Sequence, residues 1–172
     1  MPNKTKTLAL VALMAALANI LSVPPIAIPI TLGNFPTEIH FTQLPVLIAG
    51  ILGGSAAGLT TGAIGGLLSS FVILPRIAFI VGGLAILGVA AGFLAKRFRP
   101  LFAGILAWLV QAPYVAVTDY VWFTLFLPNR MVSEAAWALV GSLLVKLTIE
   151  VVISSALAEV IIAYLKKARI TL

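Results

Sequence analysis

The sequence predicts an all-α membrane protein of six transmembrane helices with both termini in the cytoplasm, and three observations carry that prediction. Of 172 residues, 62% are hydrophobic and 9% charged, against roughly 45–50% and about 25% in soluble domains. A water-exposed fold of this composition would leave large apolar patches uncovered. Runs such as Leu8 to Leu21 are apolar without interruption, whereas a membrane barrel alternates, and lipid requires every backbone polar group to be bonded within its segment or bundle. Finally, eight of the 11 Lys and Arg fall in three clusters that flank apolar runs: Lys4 and Lys6; Lys96, Arg97 and Arg99; Lys166, Lys167 and Arg169. They read as cytoplasmic anchors rather than as a phosphate-binding patch, so the net charge of +6 implies no nucleic-acid partner.

Each span needs roughly 20 helical residues to cross the hydrocarbon. The first runs from Thr7 to about Val23 and stops at Pro24 and Pro25. It opens like a signal peptide, but no small-residue cleavage site follows Ser22, so it is expected to be retained as a helix. The stretch from Ile26 to His40 contains Pro29, Gly33, Asn34, Pro36 and Glu38 and is expected to be a loop, long enough to carry function. The second span starts near Phe41 and ends at Gly53 and Gly54, with Pro45 tolerated in its first turn. At about 20 Å this helix is short, or it begins deep in the bundle. The third span runs from Ser55 to about Leu74, the fourth from Arg76 to Ala95, the fifth from Leu101 to about Leu127 with a kink expected at Pro113, and the last from Ser133 to Lys166. In this topology Arg76 and Arg130 lie outside and Lys146 within a span. The chain reads as one multi-pass domain of the cell membrane, residues 1–172.

Helices in lipid associate through small residues that let backbones approach. Gly54, Gly58, Gly62, Gly66 and Ser70 recur every four residues and give the third helix one smooth face; Gly88 and Gly92 do the same in the fourth. Packing inside the bundle accounts for both. In the first helix, Ala12 and Ala16 lie one turn apart, and by composition alone they fit either internal packing or a partner interface.

Ionisable groups inside a bilayer face a cavity, a partner or a substrate, because lipid exposure costs at least ~2.5–3.5 kcal/mol. Ser142, Lys146, Glu150 and Ser154 form a polar stripe on one face of the last helix. Lys146 and Glu150 either neutralise each other and hold helices in register or form the floor of an externally open pocket. Asp119 lies 18 residues beyond Leu101, roughly 27 Å along its helix and hence near the outer surface. The outer ends add Asn34, Glu38, His40, Arg76, Tyr114 and Trp122, a mixture of polar and aromatic groups that suits a small-molecule pocket. Trp122 equally suits an interfacial belt. Glu159 falls on the opposite face from Glu150, near the cytoplasmic end, where packing or partner contact is expected. With no Cys and one His, disulfides, thiolate chemistry and a histidine-built metal centre are not expected, and no cofactor is implied.

The segment IHFTQLPVLIAGILGG, residues 39–54, followed by SAAGLTTGAIGGLLSSF, resembles the substrate-specific (S) components of energy-coupling factor (ECF) transporters, above all the riboflavin-type branch. Those proteins share a six-helix plan and an extended first loop that runs into a short helix with a polar start, a Pro and a Gly-rich turn. The resemblance implies capture of a vitamin or related micronutrient from outside, in association with a transmembrane coupling subunit and two ATPase subunits. It implies that the Ala-rich first helix, with Ala12 and Ala16, meets the coupling subunit. It also implies that Lys146, in LLVK, corresponds to a lysine typical of riboflavin binders. The chain departs from them at His40 and Gln43, where acids are usual, and near Leu143, where an Asn is usual, so carboxylate- or amine-bearing vitamins also fit its charges.

Three function classes follow. A capture subunit without chemistry of its own leads: no GxxxxGK[ST] phosphate loop occurs, so energy must come from partners. An intramembrane enzyme lacks a Ser–His pairing, because His40 is the sole histidine and sits in an outer segment; only an acid–base pair such as Asp119 with Glu150 remains. A stand-alone secondary transporter or channel is the alternative, although no inverted repeat is recognisable.

Overall fold

The structure, a computed structural model, describes residues 4–32, 35–72, 77–127 and 130–168. Asn34 and Arg76 lie outside the described residues. Helix α1 (Lys4–Leu21) leads into strands β1 (Ile28–Leu32) and β2 (Phe35–Ile39). Then come α2 (Gln43–Gly53), α3 (Ser55–Gly65), α4 (Leu67–Val72), α5 (Ile77–Leu94) and α6 (Pro100–Val121). A π-helical turn (Trp122–Phe126) extends α6, and α7 (Ser133–Lys167) closes the bundle. Three of these are long and apolar enough to cross a membrane, Lys4–Leu21, Pro100–Phe126 and Ser133–Lys167; Gln43–Gly53 and Phe79–Leu94 are shorter apolar helices. Large apolar side chains such as Leu8, Phe71, Phe93, Leu109 and Tyr164 point outward, as in a bundle whose solvent is lipid.

Three local expectations change. The segment before His40 is a β-hairpin rather than a loop, with Ile28 opposite Ile39 and Leu32 opposite Phe35. Its alternation of apolar residues around the Gly33-Asn34 dipeptide is a hairpin signal. Pro29 and Pro36 belong to the pairs Pro29–Glu38 and Thr31–Pro36, alternate rungs on which nitrogens can face away from the partner strand. Helix α2 begins at Gln43 rather than Phe41, which shortens it to 11 residues, about 16 Å. It turns sharply into α3 at Gly54, whose φ of 85° is a conformation that only glycine adopts without strain.

The third span is broken, and Asn19 of α1 occupies the break. The helical rung from the Leu68 N–H to the Ile64 carbonyl is replaced: Leu68 N donates to Asn19 Oδ1 at 2.8 Å, and Asn19 Nδ2 donates to Ile64 O at 3.0 Å. Insertion of a side chain into the ladder is a recognised cause of helix bending.

The glycine pattern packs as expected. A Cβ at Gly58 would stand 2.1 Å from Gly88 O, one at Gly62 2.2 Å from Leu84 O, and one at Gly92 2.5 Å from Ser55 N. Helices α3 and α5 thus touch backbone to backbone. Around this seam lies a core of Ala18, Val46, Leu47, Leu87 and Ala91. At the cytoplasmic end predicted from the charge clusters, Glu159 accepts from Arg99 and from Leu101 N (3.0 Å), joining α7 to the first turn of α6.

Candidate functional site: a polar hollow at one end of the bundle

The hairpin and helices α2, α5, α6 and α7 converge at the end of the bundle opposite the basic clusters. The hairpin contributes Thr37 and Glu38, and the α2 entrance contributes His40, Thr42 and Gln43. Helix α5 supplies Phe79, Ile80, Gly83 and Leu84; α6 supplies Gln111, Val115, Thr118 and Asp119; α7 supplies Leu143, Lys146 and Leu147. They surround about 850 Å³ of space free of protein atoms, a figure that includes the open mouth. Apolar side chains of α5 and α7, with Val115 of α6, face polar groups from the hairpin, the α2 entrance and α6.

Glu150 organises that rim from behind the lining. Its side chain is 2% exposed. Oε1 accepts from the backbone N–H of His40 at 2.9 Å and lies 3.2 Å from Lys146 Nζ; Oε2 accepts from Gln43 Nε2 at 3.2 Å. A buried carboxylate is tolerated when its desolvation is offset by such donors. One side chain of α7 therefore fastens the hairpin stem, the start of α2 and Lys146 together. The Lys146–Glu150 pair ties elements together, and Lys146 also lines the hollow. His40 shares a hydrogen bond with Thr42 Oγ1 at 3.2 Å. Burial, reinforced by the nearby Lys146 charge and opposed by a backbone hydrogen bond, pushes the His40 pKa down to about 3, so its ring is neutral at physiological pH.

Among the described residues, Glu38, His40, Asp119 and Lys146 of the expected set line the hollow. Tyr114 and Trp122 do not. The Tyr114 ring lies against Gly82, where a Cβ would meet its hydroxyl at 2.2 Å, and Trp122 packs against Phe79 and Phe126 with ring centroids 5.9 and 5.6 Å away. Of the polar stripe on α7, Ser142 is exposed and bonded to its own helix through Ala138 O, while Ser154 is buried. Ala12 and Ala16 lie on the exposed face of α1, whereas Val11, Ala15 and Ala18 are buried.

The sequence does not mark Gln43 and Gln111 as site residues, yet both are buried and line the hollow. Their Oε1 atoms, like Oε2 of Glu38, are buried without a hydrogen-bond partner. The available signal is an uncharged amide within or at the head of an otherwise apolar span, since such a group is costly there unless paired.

The family model of the ECF-type riboflavin transporter S component matches residues 2–167. The chain belongs to this family. It is a substrate-binding membrane subunit of an ECF transporter, in a family of transporter components rather than enzymes. No curated protein matches the chain.

Proposed function

We propose that the hollow binds riboflavin from the extracytoplasmic side of the cell membrane and that the loaded protein delivers it to a transmembrane coupling subunit driven by two ATPase subunits. The observation that carries this reading is a pocket with apolar walls, three unpartnered buried acceptors and the lysine donor of α7, in a member of the riboflavin S-component family. A flavin has an extended apolar ring with a polar pyrimidine edge and a hydroxylated side chain. Phe79, Ile80, Leu84, Val115, Leu143 and Leu147 suit the ring, while Lys146, Gln43, Gln111, Thr118, Glu38 and Asp119 offer polar partners.

Orientation follows from the basic clusters, which under the positive-inside rule put the opposite end, and thus the hollow, outside. The exposed Ala12 and Ala16 support docking of the coupling subunit on α1, because small outward-facing residues let a second helix approach closely. Purified protein without nucleotide is expected to bind riboflavin with sub-micromolar Kd by quenching of flavin fluorescence, and Lys146→Ala to weaken binding at least about tenfold, roughly 1.4 kcal/mol. Absence of riboflavin binding would refute the ligand assignment; an unchanged affinity in Lys146→Ala would reassign that lysine to the scaffold.

A further inference from the structure

We infer that a groove between α3, α5 and α6 seats an acyl chain of an anionic phospholipid, whose headgroup is held by Lys96 and Arg97 at the basic end of the bundle.

The groove is apolar throughout. Ala85 and Ala90 of α5 are buried and form its floor, while Leu59 of α3, Phe93 of α5 and Val110 of α6 stand exposed around them. Every side chain that lines it is a hydrocarbon, which suits an alkyl chain and penalises a polar solute. From Ala85 to Leu94 it follows α5 for nine residues, about 14 Å, close to half of the roughly 30 Å hydrocarbon core of a bilayer. Its length is therefore that of one leaflet.

The groove ends where the charge begins. Lys96 and Arg97 come two and three residues after Leu94, and both are exposed. The Lys96 ammonium lies 5.7 Å from the centroid of the Phe93 ring, within reach of a cation–π contact, so the wall of the groove also carries the cation at its mouth. Arg99 is committed to Glu159, but among the described residues no ion pair engages Lys96 or Arg97. A leaflet-long apolar channel that opens beneath two such cations is complementary to a molecule with a hydrocarbon chain and an anionic head, and basic residues beside a span attract anionic lipids. A second protein helix suits the groove less well. Close helix approach needs small residues at the contact, whereas the rim here is Leu59, Phe93 and Val110; the exposed Ala12 and Ala16 lie on α1, which packs against α2 and α3.

The test equilibrates the full-length protein in detergent with equimolar phosphatidylglycerol and phosphatidylcholine of identical acyl chains and reads the retained lipid by native mass spectrometry. Phosphatidylglycerol is expected to be retained at least about threefold over phosphatidylcholine. Lys96→Gln combined with Arg97→Gln should bring that ratio close to one, whereas Lys166→Gln combined with Lys167→Gln, the same change in net charge at the end of α7, should leave it unaltered. Ala90→Phe, which fills the floor, should cut retained phosphatidylglycerol at least about threefold with the charges intact. If Ala90→Phe does not yield folded protein, Phe93→Ala, at an exposed position, removes a wall and decides by the same loss. Equal retention of the two lipids by the unaltered protein, equal effects of the two charge pairs, or undiminished phosphatidylglycerol in the groove variant overturns the inference. Release of the lipid when the coupling subunit is added would give the groove to that subunit and overturn it as well.

Discussion

Glu150 accepts hydrogen bonds from a backbone amide, a side-chain amide and an ammonium, and this saturation lets a carboxylate stay buried in the outer half of the bundle. His40 shows the opposite solution, remaining uncharged because burial and Lys146 disfavour its protonation. Its depressed pKa fixes a sign for acid stability. An unfolded chain takes up a proton at His40 near pH ~6.5, whereas the folded chain holds out to about 3, so the stabilising contribution is complete above ~6.5 and is lost as pH falls. The thermal midpoint in detergent is therefore expected to drop on acidification from pH ~7 to ~5, with a shallower slope in His40→Gln. Riboflavin affinity should stay constant between pH ~6 and ~8, because His40 does not titrate there; a step in Kd near pH ~6.5 that disappears in His40→Gln would contradict its neutral state. At this scale the sequence exposed Lys146 and Glu150, since charges within an apolar span stand out. It left Gln43 and Gln111 inconspicuous, because what marks them is burial beside empty space.

Between elements, α3 and α5 meet backbone to backbone, which makes their seam sensitive to added volume. Gly58→Ala would place a methyl 2.1 Å from Gly88 O, a backbone atom that cannot rotate aside. Overpacking of this kind costs about 1–3 kcal/mol or more, so a clear fall in thermal midpoint is expected. Gly141 is the internal control: a methyl group added there would meet nothing within 4 Å, and alanine favours helix over glycine by roughly 0.5–1 kcal/mol, so Gly141→Ala should leave the midpoint unchanged or raise it. Equal destabilisation by the two substitutions would contradict the backbone-to-backbone seam. The four-residue glycine spacing made this seam legible, whereas the break in the third span was not. Asn19 is 45 residues from Ile64, and a lone polar residue in α1 says nothing about which ladder it enters.

For the molecule as a whole, the proposed function assigns capture and delivery to different surfaces: the hollow faces one end of the bundle, and Ala12 and Ala16 lie on the outer flank of α1. Ala12→Trp and Ala16→Trp are expected to leave riboflavin affinity within about twofold while cutting uptake by the assembled transporter at least about tenfold. The paired measurements are ligand binding in detergent and transport in vesicles containing the coupling subunit and ATPases. Full transport in both variants would move the interface elsewhere on the bundle. Transport by this chain alone in vesicles would instead favour a stand-alone transporter.

The chain by itself determined that the protein is a helical membrane bundle, where its spans fall, which glycines pack and that Lys146 sits among polar groups, because hydrophobicity, small-residue spacing and charge clustering are local properties written along one segment at a time. Only the tertiary structure decided that the segment before α2 is a hairpin, that Asn19 bridges a broken helix, and that one carboxylate on α7 arranges Lys146 and Gln43 around a hollow. Those features are pairings between groups distant in sequence, and their energies depend on which partner satisfies which buried donor or acceptor, a matter settled only when the helices are brought together.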